Sequence, residues 1–492
     1  MSSHAQNGRV HTTQTVLDEG YHRGLSSRQI QMMAIGSAIG VGLFYGTGAA
    51  ITTAGPAIIV TFLVAGLIGF LVTRALGELV VYRPTSGSVM DYAREFLGPF
   101  AGFAIGWSYW VTAVTVCTAE LIAAGYYMTY WFPGVPVGLT AAVALAVLLV
   151  ANLLSVKIFG ELEFWFASIK VTAILVLIVI GVGVLVFGLS SLGDTASITN
   201  LWHHGGFAPK GAGQILVALP AAFFAYSGME LAAGTAGEAV DPRRTLRKAI
   251  NLIPLRIGVF YVGSLAVILT LMPWTSYDES SSPFVQVFAG IGLPAAAGIM
   301  NFVVLTAALS GCNVNIYMAS RLMRRMSIQG EASAVFGRLS ARQVPTPALA
   351  LITVGIAVGL AVNLASPEGA FSLLVAIAAC AVLGAWTVIV VCHLRYRTAV
   401  RAGRLPASEF KMPGAPLTNW VTLALVALVV VLLGRSPDTR VALYVGAGWA
   451  LLLAISYAVR KRARKSEAGV TSSLFLSETS APRARGTHAE TP

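Results

Sequence analysis

The chain has 492 residues, 56% of them hydrophobic and only 11% charged, with 33 Lys and Arg against 21 Asp and Glu for a net charge of +12. A mean hydropathy of +0.76 excludes a water-soluble protein of this size, whose surface needs more charge. The basic residues lie between apolar runs of roughly 20 residues rather than in a patch interleaved with aromatics, so they mark membrane topology and exclude a nucleic-acid ligand.

Residues 1–27 are polar and give no cleavable signal, which leaves the first apolar span to direct insertion. Twelve spans are expected, at 28–53, 57–82, 99–131, 137–155, 164–188, 212–238, 250–273, 294–320, 346–365, 369–394, 416–434 and 440–459. The class is all-α, a polytopic membrane protein. Of the 33 Lys and Arg, three (Lys210, Arg435, Arg440) fall in odd-numbered loops and two (Arg74, Lys170) inside spans, leaving 28 in the tails and even-numbered loops. That asymmetry places both termini in the cytoplasm. The first 20 residues and those after about Ser466 read as disordered tails.

Span one contains Ile35-Gly36-Ser37-Ala38-Ile39-Gly40-Val41-Gly42-Leu43-Phe44. Glycine inside a helix costs about 1 kcal/mol against alanine, and backbone groups freed in hydrocarbon cost several more, so such a break needs a partner. In transporters that partner is usually the substrate; the alternative is that these glycines only let helices approach closely. A second interruption, Phe224-Ala225-Tyr226-Ser227-Gly228-Met229-Glu230, stands five spans later. Paired breaks in helices of opposite direction are the signature of a five-plus-five inverted repeat. The repeats would be 28–188 (spans one to five) and 212–394 (spans six to ten), followed by peripheral spans eleven and twelve at 416–459 and a cytoplasmic tail at 460–492.

Ionisable groups inside spans cost about 2.5 kcal/mol or more at the helix centre, so each needs a partner or a task. Arg74 and Glu78, four apart in span two, are expected to pair on one helix face. Glu120 lies past the middle of span three, and Glu230 follows the second break. Lys170, about two turns into span five, either snorkels to the interface or lies against backbone carbonyls supplied by broken span one. Trp107 and Trp110 either wall a cavity or pack between helices, while the aromatics at 126–131 form an interfacial belt. Cys117, Cys312, Cys380 and Cys392 show no metal-binding spacing and are expected to be free, and the adjacent His203 and His204 face apart. No Walker A, nucleophile elbow or HExxH sequence occurs, so neither an enzyme nor an ATP-driven pump is expected, and no metal or cofactor is called for.

At the level of motifs the chain resembles the amino acid permeases of the amino acid–polyamine–organocation superfamily, from about Tyr21 to about Tyr457. The resemblance rests on Arg23-Gly24-Leu25 through Ile30-Gln31-Met32, the break Gly36 to Phe44, Arg74-Ala75-Leu76-Gly77-Glu78-Leu79 and Arg83-Pro84-Thr85-Ser86-Gly87-Ser88. It continues in Tyr92-Ala93-Arg94-Glu95-Phe96, Asn152 to Lys170 with Phe159-Gly160-Glu161-Leu162-Glu163-Phe164-Trp165-Phe166, Ala236-Gly237-Glu238, Ser282-Pro283-Phe284, and Asn301 to Ser310. The segments at Tyr21 and Arg83 look most like asparagine permeases; Ala119-Glu120 looks more like aromatic amino acid permeases.

The resemblance implies proton-coupled uptake of a free amino acid by alternating access across the cytoplasmic membrane, with a neutral polar substrate such as L-asparagine first. An aromatic or other neutral amino acid, or an amino acid sensor on the same fold, are the alternatives. The substrate site would lie between the breaks, lined by Ser37, Ala38, Gly40, Val41, Gly42, Phe224, Ser227 and Gly228. Backbone N–H groups of Gly40 and Gly42 would hold the carboxylate, and carbonyls near Ser37, Ala38, Phe224 and Ser227 the ammonium. Glycine at 42 is expected to leave room for the ligand. Related sodium-driven folds hold a cation between spans one, five and eight, where the Lys170 ammonium would sit instead against Gly36 and Ser310. H⁺ is then the coupling ion, with Glu230 and Glu120 as weaker candidates for the relay. Two departures stand out: Val41 where the family usually has Thr, and Asn313-Val314-Asn315 where it has Asn-Ser-Gly.

Overall fold

The computed structural model describes residues 32, 36, 39–85, 88–154, 156–188, 196–230, 247, 249–279, 281–290, 294–365, 370–435 and 437–479. Outside these lie the expected N-terminal tail, Ser37 and Ala38 of the first break, the Ala236-Gly237-Glu238 segment, and residues 480–492. Every regular element among the described residues is helical, and ten helices are long and apolar enough to cross a membrane. In chain order they are α1 (Val41–Phe44), α2 (Gly46–Ala54), α3 (Ile58–Tyr82), α4 (Ser88–Leu97), α5 (Pro99–Thr129), α6 (Val137–Leu154) and α7 (Val156–Phe187). Then follow α8 (Gly213–Val217), α9 (Leu219–Ala225), α10 (Ile253–Arg256), α11 (Ser264–Leu271), α12 (Pro283–Gly290), α13 (Pro294–Ile328), α14 (Thr346–Ala365), α15 (Ala370–Arg401), α16 (Leu417–Arg435) and α17 (Pro437–Thr479). A π-helical stretch, Ile257–Gly263, joins α10 to α11. The chain divides into two units, residues 1–446 and 447–492, and the second carries the C-terminal part of α17.

Each expected span has a helical counterpart; the two with internal breaks come in short pieces, and span seven is α10, the π-helical stretch and α11 run together. Span one is α1 and α2; at its far end Gly55 takes φ +61°, a left-handed turn open to glycine, and Pro56 opens the turn into α3. The described part of span six holds α8 and α9, with α9 ending at Ala225. Large apolar side chains face outward on the flanking helices: Val147 on α6, Val179 and Phe187 on α7, and Val362 on α14 are all more than 60% exposed. Such surfaces suit hydrocarbon and not water.

Four helices overrun their expected bounds. Span five is expected from 164, yet α7 starts at Val156. Glu163 is tolerated inside the bundle because Ser310 and Asn313 of α13 hydrogen-bond it. Helix α13 runs on to Ile328 and α15 to Arg401 through basic turns suited to a helix C-terminus. Helix α17 continues to Thr479, so residues 467–479 are not the disordered tail that their polarity implied; the Arg460 to Ala468 stretch is rich in helix-forming Lys, Arg, Glu and Ala.

The expected Arg74–Glu78 pair gives way to longer-range partners. Glu78, 1% exposed, accepts from His393 Nε2 at 2.9 Å, Arg397 at 3.0 Å and the Met412 N–H at 2.6 Å. His393 Nδ1 lies 2.9 Å from the Asn419 amide, so α3, α15, α16 and the segment before α16 meet at one carboxylate. Arg74 points elsewhere, donating to Asn251 Oδ1 (2.8 Å) and the Lys411 carbonyl (3.1 Å) and stacking on Phe410. Sequence spacing offered an i,i+4 pair worth tenths of a kcal/mol; the bundle offered Glu78 a guanidinium, an imidazole and an amide at a buried point.

Candidate functional site

The first break is set by Gly40, whose extended backbone (φ −134°, ψ −163°) ends the helical turn holding Gly36 and restarts the chain as α1. Leu43 and Phe44 donate back to the Gly40 carbonyl at 3.1 and 3.2 Å. Among the described residues nothing accepts from the N–H groups of Gly40, Val41 and Gly42. These are the donors that a helix start leaves open, and they carry partial positive charge.

The second break follows α9. Ser227 N–H donates to the Phe224 carbonyl (3.1 Å), Met229 N–H to Tyr226 (3.2 Å), and Gly228 takes φ +92°, where a Cβ would be strained. The carbonyl of Ala225 is freed by the break and recovered by the Tyr261 hydroxyl at 3.1 Å, delivered from the π-helical stretch. Tyr226 in turn donates to the Phe62 carbonyl of α3. Side chains from neighbouring helices thus hold the unwound shape.

The two breaks touch. A Cβ on Gly42 would collide with the backbone of Ala225, so close helix contact requires this glycine in addition to any room it leaves for a ligand. Gly36 lies equally close to Ala167 of α7. Beside the contact is a cavity of about 30 Å³, room for two waters. It is lined by Gly40, Val41 and Gly42 from the first break and by Phe224, Ser227 and Gly228 from the second, six of the eight expected binding residues. Ser37 and Ala38 lie outside the described residues.

Glu120 of α5 forms the remaining polar wall. It is 5% exposed, and its carboxylate occupies the space left by the absent side chain of Gly311 on α13, with Gly40 on its other side. Its Oε2 has no hydrogen-bond partner among the described residues. A buried carboxylate oxygen, N–H donors and breaks in two helices around one cavity can meet both ends of a zwitterion.

Lys170, fully buried, resolves the snorkelling alternative: its Nζ donates to the Gly36 carbonyl at 3.1 Å and to Ser310 Oγ at 2.9 Å. Ser310 passes its own hydrogen bond to Glu163 Oε2 at 2.6 Å. Asn313 Nδ2 holds the other Glu163 oxygen at 2.8 Å, and Asn152 of α6 donates to Asn313 Oδ1 at 2.7 Å. Sequence reasoning missed Glu163 as a working residue, having counted it only within a motif; the available signal was its spacing, seven residues before Lys170 and so on the same helix face.

Glu230 stands apart from this chain. Its Oε2 accepts from the Trp386 indole at 3.2 Å, and the buried Tyr109 hydroxyl lies beside it. Trp107 and Trp110 meet edge to face, and Trp110 packs against Gly355 of α14, which places them between helices and not on the cavity wall. Among the described residues the metal-ligating groups that gather are Cys117, Glu120 and Cys312, with ligand atoms within 4.8 Å of one another. Cys117 Sγ donates to the Cys312 carbonyl, as buried thiols commonly do.

Residues 29–469 match the family model for amino acid permeases. The chain belongs to that family. The permease is 41% identical over 418 residues to the L-asparagine permease of Escherichia coli K12, covering 85% of this chain and 84% of that protein. It is 40% identical over 452 residues to the aromatic amino acid transport protein AroP of Escherichia coli O6:H1, covering 91% and 98%. The crystal structure of a manganese transporter mutant from Eremococcus coleocola shares the fold of the permease, with a TM-score of 0.58 over 88% of this chain and 92% of that one at 13% identity. The permease is accordingly a multi-pass membrane protein that transports amino acids and not an enzyme.

Proposed function

We propose that the permease takes up a free neutral amino acid together with H⁺ across the cytoplasmic membrane, with both termini inside and repeats 28–188 and 212–394 rocking about the two breaks. The observation that carries this reading is the Lys170 ammonium, a fixed positive charge bonded to the Gly36 carbonyl one turn from the cavity. An ammonium held there supplies the charge that a bound sodium ion would otherwise bring, and unlike sodium it exchanges its charge by losing a proton. The substrate carboxylate would meet the N–H groups of Gly40, Val41 and Gly42, and its ammonium the carbonyls of the breaks with Glu120. At about 30 Å³ the cavity must widen to admit an amino acid, as alternating access requires.

For the side chain, a polar amide such as that of L-asparagine is the first choice, supported by the 41% identity to the L-asparagine permease and by Asn315 on the cavity wall. Val116, Val314 and Phe224 on the same wall favour a second reading, an aromatic or other neutral amino acid, as does the 40% identity to AroP. Counterflow in proteoliposomes preloaded with each of the twenty amino acids in turn decides between them. Exchange of asparagine supports the first reading and exchange of Phe, Tyr or Trp the second; exchange of none would leave a binding protein without transport. For topology, a reporter active only in the periplasm, fused after Lys461, is expected to stay silent.

A further inference from the structure

Lys170 cannot drive transport unless the proton it releases has somewhere to go on the cytoplasmic side. Glu120 and Glu230 were the acids expected to take it, yet neither is hydrogen-bonded to Lys170 among the described residues: Glu120 faces the cavity, and Glu230 pairs with Trp386. The group that is connected is Glu163. We propose that Glu163 is the proton acceptor for Lys170, reached through the Ser310 hydroxyl. This rests on the reading of Lys170 as the coupling residue.

The geometry fits a two-hop transfer. Nζ stands 2.9 Å from Ser310 Oγ, and Oγ stands 2.6 Å from Glu163 Oε2. As the N–H bond breaks, its proton bonds to Oγ, while the hydroxyl proton leaves Oγ for Oε2. The products are a neutral amine, an intact hydroxyl and a neutral carboxylic acid, and no co-reactant is needed. The step also converts one buried ion pair into two neutral groups, so neither is stranded as a lone charge in a medium where that is costly. The charged groups that face the pair are few: Glu120 of α5 acts on both Lys170 and Glu163, and Glu163 and Lys170 act on each other.

A second cavity lies two side chains beyond Glu163. Asn313 fixes the second Glu163 oxygen, and Asn152 holds Asn313. Asn152 also lines a 20 Å³ cavity with Phe159, Tyr317, Arg321 and Gln343, room for a water. Phe159 and Tyr317 stack at 4.0 Å as one wall, with the Arg321 guanidinium over the Tyr317 ring. None of these residues lines the substrate cavity.

The test uses the full chain in proteoliposomes with a trapped pH dye and a labelled mixture of the twenty amino acids. In the wild type, substrate entry acidifies the lumen. For Glu163→Gln and Ser310→Ala, accumulation driven by an acid exterior is expected to fall at least tenfold more than counterflow does, with substrate-linked acidification lost, while Ser310→Thr keeps both. A merely structural role would lower counterflow and accumulation together. Wild-type accumulation and acidification in Glu163→Gln overturn the proposal. Should that variant fail to insert, full coupling in Ser310→Ala overturns it. A wild type that moves substrate without protons removes instead the reading of Lys170.

Discussion

Glu78 and Glu163 are both buried carboxylates in spans of one bundle, and they differ in how their charge is met. Glu78 is held directly by His393, Arg397 and the Met412 N–H, which ties α3 to α15 and to the segment before α16. Glu163 receives only neutral donors, Ser310 and Asn313, and its countercharge Lys170 stands one hydroxyl away. Direct charge-assisted bonds to several elements fix a carboxylate and hold helices together. A single hydroxyl between acid and base keeps both groups close while leaving a path for a proton. The first arrangement suits a joint that stays closed, the second a joint that works.

The largest expected effect breaks the Glu78 side of that contrast. Glu78→Ala strands His393, Arg397 and the Met412 N–H; removing one member of a buried pair costs about 3–5 kcal/mol. Detergent-solubilised protein should melt well below the wild type, and an unchanged melting curve would show that the cluster holds nothing together. Gly42→Val comes next, because its Cβ would overlap the Ala225 backbone and force the two broken helices apart. Overpacking of this kind costs about 1–3 kcal/mol, so both melting temperature and uptake should drop. A stable but inactive Gly42→Val protein would return the glycine to the role of making room for ligand. The smallest effect is expected from Val41→Thr, which adds a hydroxyl beside the open N–H groups. Apparent affinity in counterflow should hold or improve, with about 1.5–3 kcal/mol as the ceiling for a bond to a charged group, and a clear loss would move the carboxylate away from Val41.

Much of this was legible in the sequence because hydrocarbon makes both apolar length and internal glycine conspicuous. The twelve spans, the breaks at Gly40 and Gly228, and Lys170 as a charge needing a partner all follow from the rule that no backbone or ionic group goes unmatched in lipid. What stayed hidden depended on three-dimensional neighbours. Arg74 and Glu78 seemed paired because only their own helix was visible, whereas His393 and Arg397 lie more than 300 residues away. Glu163 passed as one residue of a motif because its donors come from α13. The close approach of Ala225 to Gly42 stayed hidden too, because nothing in the sequence brings the two together.

The central claim, that Lys170 couples amino acid movement to H⁺, is tested most directly by uptake in proteoliposomes under an imposed pH gradient, with and without a sodium gradient. Wild-type accumulation should follow the pH gradient and ignore sodium. Lys170→Ala should exchange labelled substrate yet fail to concentrate it, and Lys170→Arg should not restore accumulation, because a guanidinium holds its proton throughout this range. Strict sodium dependence in the wild type, or full gradient-driven accumulation by Lys170→Ala, would contradict the account.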